Sequence, residues 1–80
     1  MTAHAYKNKD DIYASILSFA KEGASKKDIA EALSLSHQQL RRLAAELVDQ
    51  GMLHLDVKKG VFITTDKGHV FLQSRKARSI

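Results

Sequence analysis

Polar side chains that can hydrogen-bond to the edges of nucleic-acid bases recur at helical spacing in the middle of the chain. Arg42 follows Gln38 by four residues, and Ala45 comes three residues later, so the three share one face of a helix. In the major groove of DNA, Gln can pair with adenine and Arg with guanine or a phosphate, while a small Ala can meet a thymine methyl group. Outward Gln and Arg also occur on solvated helices that bind nothing, so the interpretation depends on the elements around them.

The helix that carries this face is predicted to begin after Ser36 and to end at Gly51. Ser36 and Gln39 have the S-x-x-Q spacing of a capping box, in which each residue satisfies a backbone N–H group of the other. A glycine commonly follows the last turn of a helix. The opposite, apolar face is expected to be buried, and it contains Leu40, Leu43, Ala44, Leu47 and Val48.

Two acids, Glu46 and Asp49, are predicted toward the C-terminal end of the outward face. Because phosphates repel an acid, we expect the N-terminal half of the helix to enter the groove while the other end lifts away. The same two acids leave a different interpretation open, in which the outward face binds a protein and not DNA.

Two further helices are predicted before this one. The first covers residues 10–22 and stops at Gly23. The second is capped by Ser25 and ends near Leu33, and a short turn with Leu35 at its corner leads into the third helix, as in a helix-turn-helix. The residues expected to bury the first helix are Ile12, Ile16, Phe19 and Ala20.

After the third predicted helix, the apolar period changes to that of a strand. A turn at residues 58–60 and a β-rich run at residues 61–65 complete a β-hairpin, and Thr65 is expected to cap a last helix through about residue 75. The predicted fold is mainly α with a small β-hairpin, in the order α-α-α-β-β-α of a winged helix-turn-helix. The residues expected on the buried face of the first strand are Leu53, Leu55 and Val57.

Lysines occur at two places that such a fold would bring near a nucleic-acid backbone. Lys58 and Lys59 occupy the hairpin tip, where they can reach phosphates, although lysines also solubilise such turns. Lys26 and Lys27 lie in the first turn of the second helix, whose free N–H groups attract phosphate. The candidate DNA contacts are Ser36, His37, Gln38, Gln39, Arg41, Arg42 and Ala45 on the third helix, and Ser25, Lys26, Lys27, Lys58 and Lys59 on the backbone side.

The length and net charge of the chain bear on its domain organisation and on its possible partners. The 80 residues carry a formal net charge of +4, which allows a polyanionic partner without proving one. Residues 1–9 form a basic tail that contains Lys7 and Lys9 but no acid, residues 10–76 form one domain, and residues 77–80 form a C-terminal tail.

Dimerisation is one way for so small a chain to enlarge its core. Val70, Phe71 and Leu72 are consecutive on the last predicted helix. Successive helical residues point about 100° apart, so the three cannot all face one surface. A homodimer contact at these residues is an open possibility, equal in weight to one in which Phe71 and Leu72 pack on the core and Val70 stays partly wet.

Other classes of function find no support in the sequence. The chain has no cysteine, which excludes disulfides and thiolate metal sites, and its four histidines lack metal-binding spacing. No local motif joins a nucleophile to a base. We expect a non-enzyme without metal, cofactor or small-molecule ligand. With neither a signal-peptide pattern nor a bilayer-spanning apolar run, we expect a soluble, cytoplasmic protein.

An ordered set of short motifs resembles the small archaeal winged helix-turn-helix proteins, among them the archaellum-regulator-like domains and the ten-kilodalton chromatin winged helices. The resemblance covers about residues 10–75, and its most specific part is the T-T-x-K-G step from Thr64 to Gly68. The other motifs are Glu22-Gly23-Ala24-Ser25, Ser34-Leu35-Ser36 with Gln39-Leu40-Arg41-Arg42, and Gly51-Met52-Leu53.

The resemblance implies a DNA-binding regulator or architectural protein, with a reading helix at residues 36–50 and a wing at residues 53–65. The chromatin members pair through a long C-terminal coiled coil, but this chain shows no heptad after Leu72. Three hypotheses follow: a sequence-specific transcriptional regulator that binds double-stranded DNA, a non-specific architectural DNA binder, and a protein-interaction module without DNA binding.

Overall fold

The structure, a computed structural model, describes residues 8–78, with side chains described as far as residue 74. The helix-helix-helix-hairpin-helix order predicted from the sequence is confirmed, and a short strand precedes the second helix. The elements are α1 (Lys9–Phe19), β1 (Ala24–Ser25), α2 (Lys26–Leu33), α3 (His37–Asp49), β2 (Leu53–Asp56), β3 (Val61–Thr64) and α4 (Asp66–Arg78).

Side-chain caps fix where the first two helices begin. The Asn8 side chain accepts a hydrogen bond from the backbone N–H of Asp11 at 3.0 Å. The Ser25 hydroxyl accepts one from the N–H of Asp28 at 3.1 Å, as its predicted capping role requires. These bonds satisfy N–H groups that have no partner inside the helix.

The helices take up part of both predicted tails. Lys9, which the sequence assigned to the basic tail, is the first residue of α1. At the other end, α4 continues to Arg78, beyond the predicted end near residue 75 and into the predicted tail at residues 77–80. Residues 1–7, with Lys7, and residues 79–80 lie outside the described part of the chain.

The end of α1 was predicted wrongly. The helix ends at Phe19 with Ala20 as its cap, not at residue 22. The Ala20 carbonyl accepts hydrogen bonds from the N–H groups of Gly23 at 3.1 Å and Thr64 at 3.0 Å, which ties this end of the helix to β3. Gly23 has a φ of +102° and turns the chain into β1, so it does not cap the helix.

The sheet has the order β1-β3-β2, and both pairings are antiparallel. Strands β2 and β3 form the predicted hairpin, with Leu53 opposite Thr64 and Leu55 opposite Phe62. The second strand ends at Thr64, one residue earlier than predicted. Strand β1 has only two residues, too few to show the alternation by which a strand is recognised in a sequence.

The core lies between the first three helices and the sheet. The predicted apolar face of α3 is buried at Leu40, Leu43, Ala44 and Leu47. Burial of a large aliphatic side chain stabilises a fold by about 1.5–3 kcal/mol, so this face fixes the rotation of α3 about its axis. The largest fully buried side chains in the described chain are Ile16, Leu17, Ile29, Leu40 and Leu47.

Four residues predicted to be buried are exposed. Val48 is 41% exposed at the flank of the α3 apolar face, and Phe19 is 44% exposed because it lies beside the buried face of α1. Along the first hairpin strand, exposure rises from the buried Leu53 to 42% at Leu55 and 81% at Val57, since the hairpin extends past the core and β2 ends at Asp56. The buried face of α1 consists of Tyr13, Ile16, Leu17 and Ala20.

A close contact joins the hairpin to α4. The Thr65 hydroxyl donates to the Gly51 carbonyl at 2.6 Å and accepts from the N–H of Gly68 at 3.1 Å, which confirms the predicted cap. A Cβ atom at Gly68 would lie 2.5 Å from the Met52 carbonyl oxygen and 2.6 Å from Cγ2 of Thr64. The T-T-x-K-G step therefore has a packing role, because only glycine fits at its last position.

Gly68→Ala is expected to lower the free energy of unfolding by about 1–2 kcal/mol. An added methyl group in a packed site costs about 1–3 kcal/mol, and the contact with a backbone oxygen places this site in the upper part of that range. The better helix propensity of Ala offsets about 1 kcal/mol of the cost. Urea unfolding followed by circular dichroism measures the change. Gln73→Ala, exposed on the same helix, is the control and should shift stability by less than about 0.5 kcal/mol. Equal stability of parent and Gly68→Ala would contradict the close contact.

Candidate nucleic-acid interface

The outward face of α3 is free of the core. Gln38, Arg42, Ala45 and Asp49 are all exposed, while the leucines on the opposite face are buried. The predicted spacing therefore places the polar, cationic and small side chains on one accessible stripe. Asp49 is the last residue of α3, so the acid lies at the opposite end of the stripe from Gln38.

The first turn of α3 is held by the predicted capping box. The Ser36 hydroxyl accepts from the N–H of Gln39 at 3.1 Å, and the Gln39 side-chain oxygen accepts from the N–H of Ser36 at 3.0 Å. Because its carbonyl oxygen is engaged in this bond, Gln39 offers a partner mainly its amide N–H groups. His37 is exposed at the first position of the helix.

A groove of about 410 Å³ lies between α3 and the hairpin. The exposed Val48 and Leu55 contribute to its apolar walls, and Lys26 and Arg41 bring two cations to it. The structure thus brings together a candidate from α2 and one from α3 that are 15 positions apart in the sequence. The full lining is Lys26, Arg41, Ala44, Ala45, Val48, Asp49, Leu55 and Phe62.

The hairpin tip is ordered by Asp56, a residue that the sequence analysis did not single out. Its carboxylate accepts from the backbone N–H groups of Lys58 at 3.1 Å and Lys59 at 3.2 Å. Its carbonyl accepts from the N–H of Gly60 at 2.7 Å, and Gly60 has a φ of +68°. An aspartate that bonds to the backbone a few residues ahead is typical of such turns, and here it leaves both lysine side chains exposed at the tip.

The start of α2 presents a second group of candidates. Lys26 and Lys27 are exposed in its first turn. Ser25 is half-buried, caps the helix and pairs with Val61 in the sheet. The Ser25 hydroxyl accepts the capping bond and keeps its O–H as a donor, and the two lysines carry the positive charge of this end of the helix.

The prediction that Glu46 lies on the outward face is wrong. Glu46 is half-buried and turned toward α1, where its carboxylate accepts a hydrogen bond from the hydroxyl of Tyr13. Lys9 Nζ lies 3.3 Å from Oε1 and 3.5 Å from Oε2 of the same carboxylate. We call Lys9, Tyr13 and Glu46 the α1–α3 cluster.

The α1–α3 cluster perturbs both of its weak acids. Burial, and then the hydrogen bond to Glu46, raise the pKa of Tyr13 from 10.0 to about 12. The hydrogen bond from Tyr13, followed by the hydrogen bond and the positive charge of Lys9, lowers the pKa of Glu46. At neutral pH Glu46 is therefore ionised and the phenol of Tyr13 is neutral.

A comparison with known protein families identifies the family to which this fold belongs. Residues 7–79 match the winged helix-turn-helix family over nearly the whole chain. The chain belongs to the winged helix-turn-helix family. No curated protein matched the sequence. Winged helix-turn-helix domains are typically DNA-binding folds and not enzymes; here α2, the turn and α3 form the helix-turn-helix, and the β2–β3 hairpin is the wing.

In the last helix, α4, two of three consecutive apolar residues pack on the core and the third is exposed to solvent. Phe71 and Leu72 are half-buried and pack against the core, whereas Val70 is 61% exposed. This is the predicted alternative in which Phe71 and Leu72 pack on the core and Val70 stays partly wet. A homodimer contact at these three residues stays a prediction.

Two other properties concern the described part of the winged helix. Within residues 8–78, no group of three His, Asp or Glu side chains is placed to hold a metal ion. In the same range, no helix combines the length and apolarity needed to cross a bilayer. The three described histidines, His37, His54 and His69, lie on α3, β2 and α4 respectively.

The α1–α3 cluster and the apolar groove were missed by the sequence analysis. Tyr13 and Glu46 are 33 residues apart, and no local spacing links them. The exposure of Leu55 depends on how far the hairpin extends past the core, which the alternation of its residues does not specify. Both features arise from packing between distant elements.

Tyr13→Phe is expected to flatten the alkaline limb of the stability curve. The pKa of Tyr13 is raised in the folded chain, so its contribution is fully present below its unfolded value of 10.0 and is lost as the pH rises through about 12. Unfolding free energies of parent and variant, measured at several pH values across this range, should converge as the pH increases. The comparison with the variant removes the common effect of lysine titration, and a constant difference would contradict the pKa assignment.

Proposed function

We propose that this winged helix is a transcriptional regulator that binds duplex DNA, with α3 in the major groove and the wing on the backbone. One observation carries the proposal: Gln38, Arg42 and Ala45 form an exposed stripe opposite the buried leucine face of α3. These side chains can read adenine, guanine and thymine edges respectively.

The charge distribution supports entry by the N-terminal half of α3. Asp49, at the far end of the stripe, would be repelled by phosphates, and Glu46 faces α1. The free N–H groups at the start of α2, with Lys26 and Lys27, suit a phosphate on one side of the reading helix. Lys58 and Lys59 at the wing tip suit the backbone on the other side.

The position of Glu46 also bears on the choice between hypotheses. The protein-interaction hypothesis drew on two acids in the outward stripe, and of these only Asp49 lies there. The net charge of +4 is modest for a non-specific architectural binder, which depends on phosphate contacts alone. Membership of the small archaeal subtype, a cytoplasmic location and a possible homodimer contact at Val70, Phe71 and Leu72 belong to the same proposal.

Selection from a random pool of duplexes at physiological salt tests the proposal. If the protein is a sequence-specific regulator, the selection recovers a sequence motif. A two-fold symmetric motif with half-sites about one helical turn apart indicates a dimer. Recovery without a motif would favour the architectural alternative. No recovery, even at low salt, would contradict DNA binding.

Arg42→Ala is expected to relax base preference. Loss of an Arg–guanine contact costs about 1–3 kcal/mol of discrimination, so the affinity ratio between the selected duplex and a scrambled one should fall accordingly. Fluorescence anisotropy with both duplexes measures this ratio. If the variant discriminates between the duplexes as the parent does, the assignment of the reading face is wrong.

The double variant Lys58→Ala/Lys59→Ala should lower the affinity for both duplexes alike. Each lost phosphate contact reduces the slope of log affinity against log salt by about 1. Lys67→Ala removes a single lysine charge near the opposite end of the hairpin and should leave the slope close to that of the parent. A changed base preference with an unchanged slope would contradict the backbone role of the wing.

A further inference from the structure

Arg42 and Glu46 are four residues apart on α3, the spacing at which oppositely charged side chains on a helix commonly pair. Among the described residues, however, the ion pair of Glu46 is with Lys9, at 3.3 Å, and none forms with Arg42. A pairing that the helical spacing allows, although in the less favourable order with the cation N-terminal to the acid, is therefore absent, and Glu46 pairs with another helix instead.

The α1–α3 cluster explains the replacement. Tyr13 is only 6% exposed, so its hydroxyl needs a partner inside the protein, and Glu46 Oε1 accepts its hydrogen bond. Lys9 approaches the same oxygen from the first turn of α1. A carboxylate that accepts from these two donors is fixed on the α1 side of α3.

Arg42 is close enough to compete for this carboxylate. Arg42 and Lys9 line the same small pocket beside the start of α3. The positive charge of Arg42 also contributes to lowering the pKa of Glu46, after the contributions of Tyr13 and Lys9. Arg42 nevertheless stays exposed.

We propose that Lys9 and Tyr13 are positioning residues that hold the Glu46 carboxylate away from Arg42 and so leave the Arg42 guanidinium free for DNA. The second half of this inference rests on the proposed function, whereas the first half concerns the chain alone. Without the two donors, Glu46 turns to Arg42 and competes with DNA for its guanidinium. The negative charge of Glu46 is thus paired with Lys9 of α1, on the side away from the proposed DNA contact.

The first experiment needs no DNA. The pKa of Glu46 is measured by ¹³C NMR titration in the parent and in Lys9→Met/Tyr13→Phe, each with and without Arg42→Ala. Arg42→Ala should raise this pKa at least about twice as much in the double variant as in the parent, since a new i,i+4 pair is broken only there. An equal or smaller effect in the double variant would overturn the inference, whether or not the chain binds DNA.

The second experiment measures affinity for a selected and a scrambled duplex. In Lys9→Met/Tyr13→Phe the ratio of the two affinities should fall by about 1.5- to 2-fold, the scale of competition from an exposed i,i+4 pair. Adding Glu46→Gln, which removes the competing charge, should restore the ratio. A ratio that Glu46→Gln does not restore would show that α1 merely supports the fold.

Two controls accompany these measurements. Lys21→Met removes a lysine just beyond the other end of α1 and should change neither the Glu46 titration nor the affinity ratio. An amide NMR spectrum of each variant verifies that the helices are retained. A protein that binds both duplexes equally from the outset contradicts sequence-specific function, and the Glu46 titration still decides the positioning role.

Discussion

Burial of the leucine face of α3 is the constraint on which the rest of this winged helix depends. Leu40 and Leu47 are fully buried, and a helix that buries one face must present the opposite one. The capping box at Ser36 sets where the helix begins, so rotation and register are both specified. The exposure of Gln38 and Arg42 is a consequence of apolar packing, and any role in recognition uses a face that the core has already oriented.

The wing combines a fixed base with an exposed tip. At the base, the Thr64 hydroxyl donates to the Leu17 carbonyl at 2.6 Å in the interior, and Thr65 and Gly68 join the hairpin to α4. Toward the tip, the backbone is held locally by Asp56, and the lysine side chains are free. This division suits a hairpin that must hold a fixed position while its end contacts a partner.

Local signals in the sequence predicted most of the fold. Ser25, Ser36 and Thr65 cap helices as expected, because a cap depends on residues within one turn. The buried face of α3 was predicted from the spacing of its leucines, which is also a pattern within one helix. Predictions failed where a distant element decides: α1 ends early because Ala20 bonds to Thr64, and Val48 is exposed because the neighbouring hairpin does not cover it.

The candidate site shows the same division. The outward stripe of α3 and the lysines of the turn follow from local spacing, whereas the orientation of Glu46 depends on a tyrosine 33 residues away. Sequence periodicity assigned Glu46 to the DNA side as an unfavourable charge. In the structure, its contact with α1 makes it part of the packing that supports α3.

The proposed function requires that the N-terminal half of α3 and the wing tip contact DNA together. Amide chemical-shift mapping during titration with a selected duplex locates this contact without any substitution. We expect the largest shifts from Ser36 to Ala45, at Lys58 and Lys59, and at the start of α2. Shifts confined to the exposed face of α4 around Val70, with α3 unaffected, would contradict the account.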